Sequence, residues 1–314
     1  MPKHRKESAP AHDWTVHAAR AARGIRRRVL AHTVKNNGGY LSQACSSAEL
    51  FATLYLRVLN LGPVAKPIVP PRFPGVPGPG NPDYRTGAAF HGARAPERDR
   101  FYLSPSQYSL VLYAALIEAG RMDECGLDEF NKDGGVVEMI GAEHSPGMEI
   151  MTGSLGQGLS QAAGIAMGRA RAGETGRTVV FMSDGEFQIG QTWEAVQAMS
   201  FHGLGSMLVF ADINGYQCDG KMDSVMNIEP LEGRLASFGA RVLRIDGHDI
   251  EGIARASSLP PDGRPLFVLA DTDPCRGIEL LRSRYPKFHY LRFTGDDERE
   301  RYAHALEELF GEGH

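Results

Sequence analysis

Residues 181–220, FMSDGEFQIGQTWEAVQAMSFHGLGSMLVFADINGYQCDG, read as a helix held between two buried β-strands. The apolar, β-branched run 178–182 ends at Ser183-Asp184-Gly185, and the run 207–211 repeats the pattern before Asp212-Ile213-Asn214-Gly215. Both polar tips therefore fall at carboxyl ends of strands, and in an open parallel sheet those ends line the ligand crevice. Asp184 and Asn214 can then converge on one bound ion. A carboxylate and an amide oxygen are hard ligands suited to magnesium or calcium, and they leave octahedral positions for phosphate oxygens and water. Gly185 carries no side chain where a backbone N–H would meet phosphate, and the helix after it points its positive end at the anion. The pattern predicts an α/β fold, a parallel sheet sandwiched by helices, with a metal-bridged diphosphate at the strand ends. A Rossmann-like turn with a capping aspartate is the plainer alternative.

Composition agrees with that reading. With 314 residues, 42% of them hydrophobic, and 37 glycines, the chain can bury a full α/β core in one large domain or two small ones. A formal net charge of -4 implies no nucleic-acid or acidic-surface partner. Cys45, Cys125, Cys218 and Cys275 fit no CxxC or CxH spacing and read as reduced thiols rather than a disulfide frame or zinc site. No run reaches the ~18 apolar residues of a membrane helix, and the basic N-terminus lacks a signal peptide's apolar core, so a soluble cytoplasmic chain is expected.

The central stretch also resembles transketolases, which share the thiamine-diphosphate signature of Asp-Gly followed about thirty residues later by Asn. Asp184-Gly185-Glu186, Gly190, Trp193-Glu194-Ala195 and Asn214-Gly215-Tyr216-Gln217-Cys218-Asp219-Gly220 carry the likeness; Ser183 stands where the family usually has glycine. A second match is 145–164, SPGMEIMTGSLGQGLSQAAG. The resemblance implies thiamine diphosphate with Mg2+ (or Ca2+) as cofactor. Asp184, Asn214 and the carbonyl of Tyr216 would hold the ion. Gly153, Ser154, Leu155, Gly156, Ser183, Gly185 and Glu186 would cradle the cofactor, the glycines letting backbone approach its rings. Glu194 matches a glutamate near the subunit contact, and Ile189 replaces a second one, so a shared carboxylate network between two active sites is not expected.

Working outward, 1–13 is expected to be a disordered basic tail and 14–314 one domain. In 14–34 apolar residues recur at helical spacing, and Arg20, Arg23, Arg26, Arg27 and Arg28 between them read as a solvated face. NNGGY, 36–40, breaks the helix, and Ser46-Ser47-Ala48-Glu49 is expected to open the next, with a serine as N-cap. Tyr40 stands where the family has a histidine that helps hold cofactor and substrate; a phenol can donate a hydrogen bond but does not carry charge near neutral pH. The segment 61–97 is dense in proline and glycine and reads as an extended insertion, either an active-site cover or docking arm or a plain surface excursion. Gln107 replaces a second family histidine, a third falls near Met139 with His144 five residues on, and His289 is the best remaining candidate for a catalytic or substrate-contacting histidine. Arg276, where the family has lysines, could hold a phosphate. His202 reads as a satisfied structural histidine.

The resemblance covers 24–310 and includes no pyrimidine-binding domain, which the chemistry requires. It therefore implies an obligate partner, a C-terminal transketolase-like subunit carrying that domain, in an α2β2 heterotetramer with sites between unlike subunits. The expected activity is transfer of a two-carbon ketol unit from a ketose-type donor to an acceptor, a specialised one given the altered histidines. Acyl transfer from an α-keto acid, or a non-catalytic cofactor-binding subunit, are the alternatives.

Overall fold

Side chains of a strand alternate between two faces, and here both faces are apolar, which is the pattern of a sheet covered on each side. A computed structural model describes residues 13–82 and 84–311. The expected tail lies outside the described residues except for Asp13, which begins the first helix. Strands form at β1 (Arg100–Leu103), β2 (Thr178–Ser183), β3 (Met207–Ile213), the short hairpin arms β4 (Tyr216–Gln217) and β5 (Gly220–Lys221), β6 (Arg241–Asp246) and β7 (Leu266–Asp271). β1, β2, β3, β7 and β6 lie in that order in one parallel sheet, as the sequence pattern requires.

Helices α1 (Asp13–Asn36), α2 (Leu41–Thr53), α3 (Ser109–Glu118), α8 (Ile250–Ser257) and α9 (Asp296–Phe310) lie on one face. On the other lie α4 (Gly158–Arg171), α5 (Gly190–Phe201) and α7 (Leu231–Ser237), and a short α6 (Met222–Val225) precedes α7. Val179, Phe181 and Phe210 enter the first core, and Val180, Met182 and Val209 the second. None of the described helices is long and apolar enough to cross a membrane. All four cysteines are free, Cys45 and Cys275 being buried.

Two expectations about the first helices are corrected. α2 begins at Leu41, so Ser46 is not a cap but an interior residue; every residue of α2 is buried, and such a helix shows no polar face by which to place its start. Ser47 satisfies its hydroxyl on the Gln43 carbonyl at 2.6 Å, one turn back. Arg26 is not on a solvated face either: it is 6% exposed and grips Glu49 with two nitrogens at 2.8 and 2.5 Å. A forked guanidinium on a carboxylate is the pairing that makes such burial tolerable. His202 is exposed at the end of α5, its ring edge against Phe201.

The proline-rich insertion runs along the 121–144 loop. Ile68 exchanges backbone bonds with Arg121 and Asp123, the Phe73 N–H reaches the Gly134 carbonyl at 2.9 Å, and the Phe73 ring meets His144. Prolines deny it a ladder, so it is held by isolated bonds and side-chain contacts.

Candidate active site

The register sets three strand ends side by side. Ser183 of β2 pairs with Asp212 of β3, and Asp212 with Ala270 of β7, so Asp184, Asn214 and Thr272 emerge together. Asp212 is the one acidic residue in the β3 run and is fully buried. Its carboxylate accepts hydrogen bonds from Ser46 Oγ at 2.5 Å, from the Tyr108 hydroxyl at 2.7 Å and from Thr272 Oγ1. Asn214 Nδ2 donates to the Tyr108 oxygen at 3.2 Å and lies 3.4 Å from Asp212 Oδ2. With its nitrogen so directed, the amide presents its oxygen on the other side, where it accepts the Tyr216 N–H at 2.9 Å.

Asp184 is 2% exposed, and its two oxygens accept the N–H groups of Gly185 and Gly215 at 2.8 Å each. Burial first, and the charge of Asp212 second, push its carboxyl up to about 8, while those backbone bonds work the other way. Burial likewise raises Asp212 against the pull of its hydroxyl partners. Among the described residues neither carboxylate is in an ion pair, so two buried acids face each other without a balancing charge. That imbalance, beside an oriented amide oxygen, fits a divalent cation with oxygen ligands.

A cavity of about 240 Å³ opens above these groups. Ser183, Asp184, Gly185, Asn214 and Tyr216 form its floor, and Gln107, Gly153, Leu155 and His289 stand in its walls. A side chain at Gly185 would meet nothing within 4 Å, so this backbone is open to a ligand, although its N–H is already taken by Asp184. His289 Nδ1 lies 3.5 Å from Gln43 Nε2, and burial lowers its pKa, Asp219 acting oppositely.

Other expected residues stand behind the walls. Tyr40 packs edge-on against His289 at 5.4 Å. Ser154 is exposed. Gly156 donates its N–H to Glu186 at 3.3 Å, and Glu186 also accepts the Ser183 N–H at 2.9 Å and the Ser104 hydroxyl. Glu186 is thus a buried clasp joining three loops, with its pKa raised by burial to about 7, and has no face on the cavity. Gly153 and Gly156 have φ of +93° and +81°, and a side chain there would strike Ile140 and Ile189 respectively, so they fit turn geometry and protein packing rather than close approach to a ring. Glu194 is exposed on α5, and Arg276 and the described part of the insertion contribute no wall. His144 is paired with Glu138 at 3.0 Å, away from the cavity. Asp212, Tyr108 and Gln43 were not anticipated. A lone acid in an apolar strand was the available signal for the first.

This architecture is that of an α/β thiamine-diphosphate-binding domain, and residues 89–272 match the sequence family described as transketolase, thiamine diphosphate binding domain. A transketolase family protein of Sinorhizobium fredii is 33% identical over 275 residues, covering 86% of this chain and 88% of that one. An apulose-4-phosphate transketolase subunit of Actinobacillus succinogenes is 28% identical over 291 residues, 92% of this chain and 94% of its own. A Clostridium 6-deoxy-6-sulfo-D-fructose transketolase subunit is 28% identical over 292 residues with the same coverage. The crystal structure of Campylobacter jejuni transketolase superposes with a TM-score of 0.71 at 21% identity over 96% of this chain, which spans 47% of that longer one. The chain belongs to the transketolase family.

Proposed function

We propose that this chain is the diphosphate-binding subunit of a split transketolase. It binds thiamine diphosphate through Mg2+ (or Ca2+) and works in the cytoplasm with a separate subunit carrying the pyrimidine-binding domain, as an α2β2 heterotetramer. Together they transfer a two-carbon ketol unit from a ketose-type donor to a specialised acceptor. The observation that carries this is the convergence of buried, unbalanced Asp184 with oriented Asn214 on adjacent strand ends. Two relatives matched over nearly their whole length being named as transketolase subunits supports the division of labour.

Asp184, Asn214 and the Tyr216 carbonyl hold the cation, and Gly185, Gly153 and Leu155 shape the space beside it. The bound cofactor supplies the nucleophilic carbon and electron sink for cleaving the bond next to a ketose carbonyl. His289, its pKa lowered by burial, hydrogen-bonds a donor oxygen, and Gln107 orients a hydroxyl without exchanging protons. Among the described residues the cavity walls carry no lysine or arginine, so this subunit contacts the uncharged polyol end of a sugar and leaves any phosphate to the partner. Glu194 serves at the contact between copies. Calorimetry with thiamine diphosphate and Mg2+, on the chain alone and co-expressed with the product of the adjacent reading frame, tests the reading. Uptake that Asp184→Ala leaves unchanged would refute it.

A further inference from the structure

At the opposite end of the sheet, where the strands begin, a second cavity of about 180 Å³ is bounded by Met207, Arg241 and Leu266, at the starts of β3, β6 and β7, and by the loop through 257–264. It shares no wall with the active-site cavity. The intervening strand β3 has 7 residues, so at ~3.3 Å per residue the two lie about 20 Å apart.

Three arginines line this space, but only one is uncommitted. Arg177 is spent on Asp99 and on the carbonyls of Val58 and Ser257. Arg264 holds Asp262 at 2.6 Å. Arg241 is half-buried and makes one hydrogen bond among the described residues, from Nη1 to the Pro260 carbonyl at 2.8 Å. A guanidinium has five N–H donors, so most of those of Arg241 are free; the Asp262 carboxylate, which also feels the charge of Arg241, is hydrogen-bonded to Arg264. Leu259, Pro261 and Leu266 add apolar lining, Leu266 being the strand partner of Arg241. A cavity of about 150 Å³ is enough to hold benzene, so this one has room for a ring or short branched chain with a charged head.

We propose that this cavity binds a small organic anion, its carboxylate or phosphate head on Arg241 with Arg264 beside it and its apolar body against Leu259 and Leu266. The proposal is independent of the cofactor reading. Its test is calorimetry on the full chain with three probes of similar shape: benzoate, phenyl phosphate and uncharged benzamide. At least one anion binds about tenfold or more tighter than benzamide, and Arg241→Gln removes that preference while leaving the near-ultraviolet circular dichroism unchanged. Leu259→Trp fills the apolar half and blocks the anion without altering charge, which keeps the proposal testable should Arg241→Gln misfold. Benzamide binding as tightly as the anions, anion binding that survives either substitution, or no heat from any probe would each overturn it. The preference between benzoate and phenyl phosphate identifies the head group.

Discussion

Tyr108→Phe removes one oxygen atom and should separate what the buried polar cluster does for stability from what it does for binding. The ring packs on Phe181 with centroids 5.0 Å apart and remains in place, so the loss is confined to two hydrogen bonds, to Asp212 at 2.7 Å and from Asn214 at 3.2 Å. Tyr108 is 1% exposed and Asp212 0%, so bulk water has little access to replace them. A buried bond to a charged acceptor contributes about 1.5–3 kcal/mol; Asp212 keeps Ser46 and Thr272, so the ligand-free chain loses about 2 kcal/mol by that estimate. The second effect is on orientation. Without the phenol, the Asn214 nitrogen keeps only the 3.4 Å contact to Asp212, and the amide can turn its nitrogen toward the cation. Were the phenol responsible for about 1.4 kcal/mol of that preference, affinity for thiamine diphosphate at fixed Mg2+ would fall about tenfold. Urea unfolding of the ligand-free chain measures the first quantity and calorimetric titration at two Mg2+ concentrations the second. A variant that loses stability but binds as tightly as the parent would refute the positioning role, and one unchanged in both would refute the hydrogen-bond geometry itself.

Glu49 offers a pH signature far from the ion: burial alone would raise its pKa, but bonds from His248 and Arg26 outweigh it and hold the group down to about 2 from an ordinary 4.5. A folded pKa below the unfolded one adds stability above about pH 4.5 that drains away as pH falls toward 2, here about 3 kcal/mol. Glu49→Gln therefore lowers stability at neutral pH and flattens the acid limb of the melting curve, and parallel acid limbs in the two proteins would contradict the ion pair. Gly156→Ala places a side chain at φ +81° with its Cβ 2.7 Å from Ile189 Cγ2, costing about 1–3 kcal/mol; an unchanged melting temperature would show the turn can relax. Gln107→His puts a titrating group on the cavity wall, so the pH–rate profile of the assembled enzyme gains an ionisation near about 6.5, and a profile identical to the parent's would mean that Gln107 does not reach the donor.

Sequence patterns are local, and the parts of this molecule that are set locally were legible. The apolar β-branched runs 178–182 and 207–211 became β2 and β3, the first extending one residue further and the second two. Asp184 and Asn214 could be placed because each directly follows such a run, and parallel pairing then brings them together without further information. The short β1 was not assigned as a strand, since four residues, one of them arginine, give too little alternation to read. What stayed hidden was the identity of partners: Ser46 and Asp212 are 166 positions apart, and Tyr108 and Asp212 are 104 apart. A serine or arginine on an isolated helix is best assigned to a cap or to solvent, and that default is correct until a second layer covers the helix. α1 and α2 are so covered, and the misread Ser46 and Arg26 both lie on them. An acid in an otherwise apolar run announces that some donor must reach it, because leaving it unpaired costs more than any packing gain. It does not say which donor. That choice is made by the register of β3 against β2 and β7 and by the packing of α2 over the strand ends, which is where the polar floor of the site is assembled.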